Sequence, residues 1–163
     1  MNVSDVLMKM IDYSNGNRHD INHFLKVYAF AKVIAEQERL SDDEQMITEI
    51  AAIIHDIACP LCRVKYGNTN GKYQEVEGIV LARDFLKDTG LPNNISERVI
   101  YLVGHHHTYE NVDGADYQIL LEADYLVNAD ESGYSQDNIR STLNYLFKTN
   151  TGISILKNVY DIK

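Results

Sequence analysis

Five side chains combine metal-binding or acid–base chemistry with positions the sequence marks for burial: His23, the adjacent pair His55-Asp56, His106 and Asp124. His55 and Asp56 sit within the apolar run AAIIHDIACP at 51–60. A carboxylate carried into an apolar core is costly unless something compensates its charge. His23 lies on the helical line 23, 27, 30, 34, whose other members are Val27, Phe30 and Ile34. His106 extends Ile95, Val99 and Leu102 at steps of four, three and four, and Asp124 shares a line with Leu120, Ala123 and Val127. Taken singly, each has an ordinary account as a hydrogen-bonded core residue or half of a buried ion pair. Separate helices aiming His or Asp at one core have a common explanation in a divalent cation. Imidazole and carboxylate together suit Mn²⁺, Fe²⁺, Co²⁺, Ni²⁺ or Zn²⁺, and the ion supplies the charge that makes Asp56 and Asp124 tolerable. Adjacent helical residues project about 100° apart, so His55 and Asp56 share an ion best at a helix end. Pro60 follows shortly after.

The elements that must position these residues are helical almost throughout. A short amphipathic segment covers 3–12 and stops at SNGN, 14–17; Asp20 can cap a helix over 21–39. Ser41 and Glu44 form a capping box that opens a helix running through Ile47, Ile50, Ile53 and Ile54 to the His-Asp pair. Residues 59–73, CPLCRVKYGNTNGKY, contain Pro60, Gly67 and Gly71 and read as a long functional loop. Helices are predicted at 74–88, 95–107, 116–129, 135–148 and 153–161, with a turn at 108–115. No convincing strand alternation, repeat or linker is present. The expectation is an all-α fold in one domain over 1–163, with core motifs at 18–130 and C-terminal helices at 135–161.

Composition narrows the partners. A chain of 163 residues can bury a substantial core. Its formal net charge of −9 repels polyanions, which disfavours nucleic acid and anionic membranes as main partners. No apolar stretch approaches the roughly 20 residues needed to span a bilayer, and the N-terminus lacks the basic start and apolar core of a signal peptide, so a cytoplasmic location is expected. The two cysteines, Cys59 and Cys62 in CPLC, fit a reducing compartment. The C-x-x-C has neither the βαβ context of a redox motif nor the second C-x-x-C of a zinc site, and reads as two ordinary thiols.

The ordered set His23 in DINHFLKVYAFA, His55-Asp56 in AAIIHDIA and Asp124 in LLEADYLVN resembles the H…HD…D pattern of HD-domain metal-dependent phosphohydrolases, over about residues 18–130. The resemblance implies a compact bundle of about seven to eight helices, with His23, His55, Asp56 and Asp124 as metal ligands. His105 and His106, within GHHHT, are similar to the extra ligands of two-metal members, so one or two ions are implied, drawn from Mn, Fe, Co, Ni, Zn or Mg. Those members usually carry a further His near the start of the helix after the HD loop. The matching stretch KYQEVEGIVLAR has none, and Glu75 is the oxygen donor that could replace it.

The activity implied is hydrolysis of a phosphate ester on a small phosphorylated metabolite, with nucleotides as the expected class. His55, Asp56 and His106 would form the catalytic set, an unligated histidine of 105–107 protonating the leaving oxygen. Lys26, Arg63, Lys65 and Lys72, with Glu75, are the expected substrate contacts, and Tyr28, Tyr73, Tyr109 and Tyr125 could stack a base. The competing expectation is a metal-stabilised ligand sensor that keeps the fold without turnover. A monomer or homodimer fits either.

Overall fold

Local capping signals decide where most of the helices begin. Asn2, Asn17, Ser41, Asn70, Ser135 and Thr149 each accept a backbone N–H of the following first turn. The computed structural model, which describes residues 1–163, has nine helices and no strand. They are α1 (Val3–Tyr13), α2 (Arg18–Gln37), α3 (Asp42–Ile54), α4 (Cys59–Tyr66), α5 (Gly71–Leu86), α6 (Asn93–Val103), α7 (Ala115–Glu131), α8 (Gln136–Tyr145) and α9 (Asn150–Val159).

The expected all-α bundle of about seven to eight helices holds, with nine found. One addition is α4, in the stretch read as a loop. Pro60 is not a breaker there but stands in the first turn, where its missing N–H costs no hydrogen bond. Gly67 then stops α4 in the left-handed conformation, at φ 71°. The helix before GHHHT ends earlier than expected, at Val103, and residues 104–107 form turns. The cap of α2 is Asn17 rather than Asp20.

The centre of the bundle is α2, α3 and α7, packed on one another. Every residue of α3 from Ile47 to Ile54 is buried, and α7 is buried nearly all round. This pattern marks helices enclosed by their neighbours rather than lying on a surface. α6 packs on α3, α5 on α6, α4 on α5, and α9 on α7 and α2. One apolar cluster runs from Val6 to Ile162, so the C-terminal helices belong to the same core as the motif-bearing ones. No helix is long and apolar enough to cross a membrane.

A buried carboxylate joins α7 to α9. Glu122 is fully buried, and its Oε1 accepts from Gln118 Nε2 (2.7 Å), Lys148 N (2.7 Å) and Thr149 N (3.0 Å). Its Oε2 accepts from the Thr149 hydroxyl. Thr149 in turn caps α9. A Cβ at Gly152 would lie 1.9 Å from Glu122 Oε2, and that oxygen cannot retreat without breaking these bonds. Gly152→Ala is therefore expected to cost about 1–3 kcal/mol, a fall in Tm of roughly 3–10 °C by thermal denaturation. An unchanged Tm would contradict this account of the α7–α9 junction.

Candidate metal centre

Three histidines point at the Asp56 carboxylate, and each is oriented by a hydrogen bond on its outer side. His23 Nδ1 donates to Glu131 Oε2 at 2.8 Å, His55 Nδ1 to the Ala52 carbonyl at 2.9 Å, and His106 Nδ1 to the Val103 carbonyl at 2.7 Å. A carbonyl or carboxylate partner requires the proton on Nδ1, so each neutral ring turns an Nε2 lone pair inward. His23 Nε2 lies 3.2 Å from His55 Nε2, 3.2 Å from Asp124 Oδ1 and 3.3 Å from Asp56 Oδ2. His55 Nε2 is 3.4 Å from Asp124 Oδ1, and His106 Nε2 is 3.3 Å from Asp56 Oδ1.

Every one of these atoms is an acceptor when the rings are neutral. Asp124 Oδ1, although close to two imidazoles, is buried with no hydrogen-bond partner. Such an assembly repels itself unless a cation or protons occupy its centre. The separations also suit an ion, since metal–ligand bonds of about 2.1 Å leave neighbouring ligand atoms roughly 3.0–3.4 Å apart. The donor set therefore fits a divalent metal.

Two ligand groups share one carboxylate. His23, His55 and Asp56 form one, and Asp56, His106 and His107 form the other. Asp56 Oδ2 faces His23, whereas Oδ1 faces His55 and His106. His107 Nε2 is buried without a partner. Burial, reinforced by His106, pushes the His107 imidazole down to about 4, so it is neutral at pH 7 and offers a lone pair. Gln74 Oε1 completes this side, 3.3 Å from His106 Nε2.

Electrostatics show what the centre does without metal. Burial alone would lower the His23 value, but Asp124, Asp56 and Glu131 outweigh it and push the imidazole up to about 9. Burial alone would raise Asp56 and Asp124; His55 and His106 hold the first down, and His23 and His55 the second. The metal-free centre takes up protons in place of the missing cation.

The fold brings these groups together from five places. His23 comes from the buried face of α2, His55 is the C-cap of α3, and Asp56 lies in the turn that leads to α4. Asp124 is mid-α7, and the GHHHT turn follows α6. That turn is held by two side chains from neighbouring helices. Tyr117 OH donates to the His105 and Thr108 carbonyls, at 2.9 and 2.5 Å. Glu75 Oε1 accepts from His107 N (3.0 Å) and the Thr108 hydroxyl (2.8 Å). Arg98 clamps Asp113 and Asp116 beyond it. Gly71, opening α5, lies directly against His107, and a Cβ there would come within 2.7 Å of the ring.

The expected site residues divide into those the fold assembles and those it does not. His23, His55, Asp56, His106 and Asp124 converge. His105 does not: its ring stacks on Tyr101 at 4.1 Å and its Nδ1 donates to the Tyr101 carbonyl, because residue 105 follows the helix end on the opposite side from 106. Its neighbour His107 occupies the inner position instead. Glu75 is spent on the backbone of the histidine turn, and Gln74 is the side chain that reaches the centre.

The centre lies in a cleft of about 200 Å³. Of the expected cations, Arg63 lines the cleft, held by Asp20 through two bonds of 2.8 and 2.6 Å. Lys26 reaches only its edge, through Glu131 at 3.0 Å. Lys65 pairs with Glu77 away from the cleft, and Lys72 is exposed outside it. Sequence reasoning missed Glu131 and Asn128. Their signal was present, since both follow Asp124 on α7 at helical steps of seven and four.

Comparison with known proteins agrees with this geometry. The family model of the HD domain matches residues 20–132, and the chain belongs to that family. The fold is similar to the crystal structure of a predicted HD superfamily hydrolase from an uncultured Thermotogales bacterium. The TM-score is 0.71 at 22% identity, over 97% of this chain and 84% of that one. No curated protein matches.

The protonated His23 sets a pH dependence for the metal-free protein. Its folded value is about 9 against an ordinary 6.5, so the proton's contribution to stability is complete below 6.5 and is lost as pH rises through 9. In a chelator, Tm is expected to fall between pH 6.5 and 9, and added Mn²⁺ should stabilise more strongly as pH rises, because it replaces the departing protons. A flat Tm across that range in chelator would count against the arrangement.

Proposed function

We propose that this HD-domain protein is a divalent-metal-dependent phosphohydrolase acting on a small phosphorylated metabolite, with nucleotides as the first class to test. The observation that carries the reading is the convergence of His23, His55, Asp56 and Asp124 as acceptors around one point in an open polar cleft. These four would hold one ion. Asp56, His106 and His107, beside Gln74, would hold a second that shares Asp56. A bound ion would supply Lewis acidity to a phosphoryl oxygen and to the attacking water.

The chain's own groups then divide the remaining work. Arg63 presents its guanidinium to the cleft, and Asp20 fixes the plane of that fork, so that it can orient a phosphoryl group. Glu131 holds the proton on His23 Nδ1, keeping Nε2 turned inward. An unligated histidine of 105–107 was expected to protonate the leaving oxygen; of these, His106 is fully buried with Nδ1 committed to the Val103 carbonyl. It is better placed as a ligand than as an acid.

The test is hydrolysis of a panel of phosphate monoesters and diesters with Mn²⁺, Co²⁺, Ni²⁺ or Mg²⁺. The expected result is turnover that Asp56→Asn lowers by about 10²–10³-fold or more, with Arg63→Ala costing about 10–100-fold, mainly in KM. Bound metal without turnover of any member would contradict the enzyme and favour a metal-stabilised sensor.

A further inference from the structure

The part of the cleft beyond the Asp56 cluster governs what the phosphate can be attached to. α7 presents Asp124, Asn128 and Ser132 to it at steps of four, one row down a single face of the helix end. His19 and Asp20, from the first turn of α2, and Arg63, from α4, also line it. Beyond the cluster this wall offers hydroxyl, amide and imidazole groups beside the Asp20–Arg63 pair and the Glu131 carboxylate, and the cleft's one hydrophobic lining residue is Cys59.

Size and charge limit the ligand further. Pockets that enclose drug-sized ligands run to roughly 300–1,000 Å³ and are lined mainly by apolar and aromatic groups; about 200 Å³ with polar walls is a different container. A flat apolar ring seated here would leave Asn128 and Ser132 facing carbon, which strands their hydrogen-bonding atoms. Hydroxyl groups, each both donor and acceptor, match that wall. The tyrosines that could stack a base lie elsewhere: Tyr73 stacks on Tyr66 at 4.0 Å, and Tyr28, Tyr109 and Tyr125 do not line the cleft. A second phosphate would meet the carboxylates of Asp20 and Glu131, with Arg63 taken by the first phosphate and Lys26 paired to Glu131.

Resting on the phosphohydrolase reading above, we propose that the substrate class is the monophosphate ester of a small hydroxylated carbon unit, a pentose or shorter polyol. The protein reads the phosphate and the neighbouring hydroxyls, and any base or larger substituent stays outside the cleft. Asn128 is the specificity-determining residue for those hydroxyls.

The experiment measures kcat/KM, with Mn²⁺, for ribose 5-phosphate, the 5′-monophosphates of adenosine and uridine, adenosine diphosphate and p-nitrophenyl phosphate, alongside thermal-shift binding of ribose 5-phosphate and inorganic phosphate. Ribose 5-phosphate and the two monophosphates should agree within about tenfold, with the diphosphate poorer than all three. Asn128→Leu should lower the ratio of ribose 5-phosphate to p-nitrophenyl phosphate turnover by about tenfold. Discrimination between the two bases beyond tenfold, or an unmoved ratio in Asn128→Leu, overturns the inference. If nothing is hydrolysed but ribose 5-phosphate raises Tm more than inorganic phosphate does, hydrolysis is wrong and this ligand class stands. If neither turnover nor that shift is seen, the ligand class falls too.

Discussion

The structure turns on a set of acceptors that cannot coexist unaided. Three imidazole Nε2 atoms and the carboxylates of Asp56 and Asp124 are brought to contact distances of 3.2–3.4 Å, and the outer hydrogen bonds of the rings keep their protons on the far side. In a low-dielectric interior such a set demands positive charge at its centre. The raised His23 value is the same demand met by protons when no metal is supplied. Stability, pH response and chemistry all follow from how that charge is provided.

The rest of the fold holds the acceptors in place. α3 is buried along its whole second half, so its end, where His55 sits, is fixed by apolar packing on α2, α6 and α7. The histidine turn after α6 buries Gly104 and His106 and is tied further by Tyr117 and Glu75. Gly71 lets α5 close against His107, which brings Gln74 to His106. Rigid placement on helix ends and tied turns keeps such a centre assembled before any ion arrives.

Much of this was legible in the sequence, for physical reasons that also explain the gaps. His23, His106 and Asp124 stood out because a polar residue on an apolar helical line contradicts the pattern around it. His55-Asp56 stood out because the run before it is apolar on every side. Pro60 misled because proline both breaks helices and starts them, and only the following left-handed Gly67 distinguishes the two. The exchange of His105 for His107 hangs on where α6 ends: it stops at Val103, four residues before the expected 107, and the turn that follows aims His105 at Tyr101. Lys65 and Lys72 could not be separated from Arg63 by spacing alone. What separates them is the partner, Asp20 at the cleft for Arg63 and Glu77 outside it for Lys65. Glu131 needed no tertiary information, only the extension of the Asp124 line by two turns.

The central claim is that the His23, His55, Asp56 and Asp124 atoms face a common cation. Crystals of the protein grown with Mn²⁺, with anomalous diffraction recorded to locate the ion, test it most directly. The account predicts an anomalous peak about 2.0–2.3 Å from His23 Nε2, His55 Nε2 and one oxygen each of Asp56 and Asp124. A map with no peak at that point, or with either histidine bound through Nδ1, would contradict it.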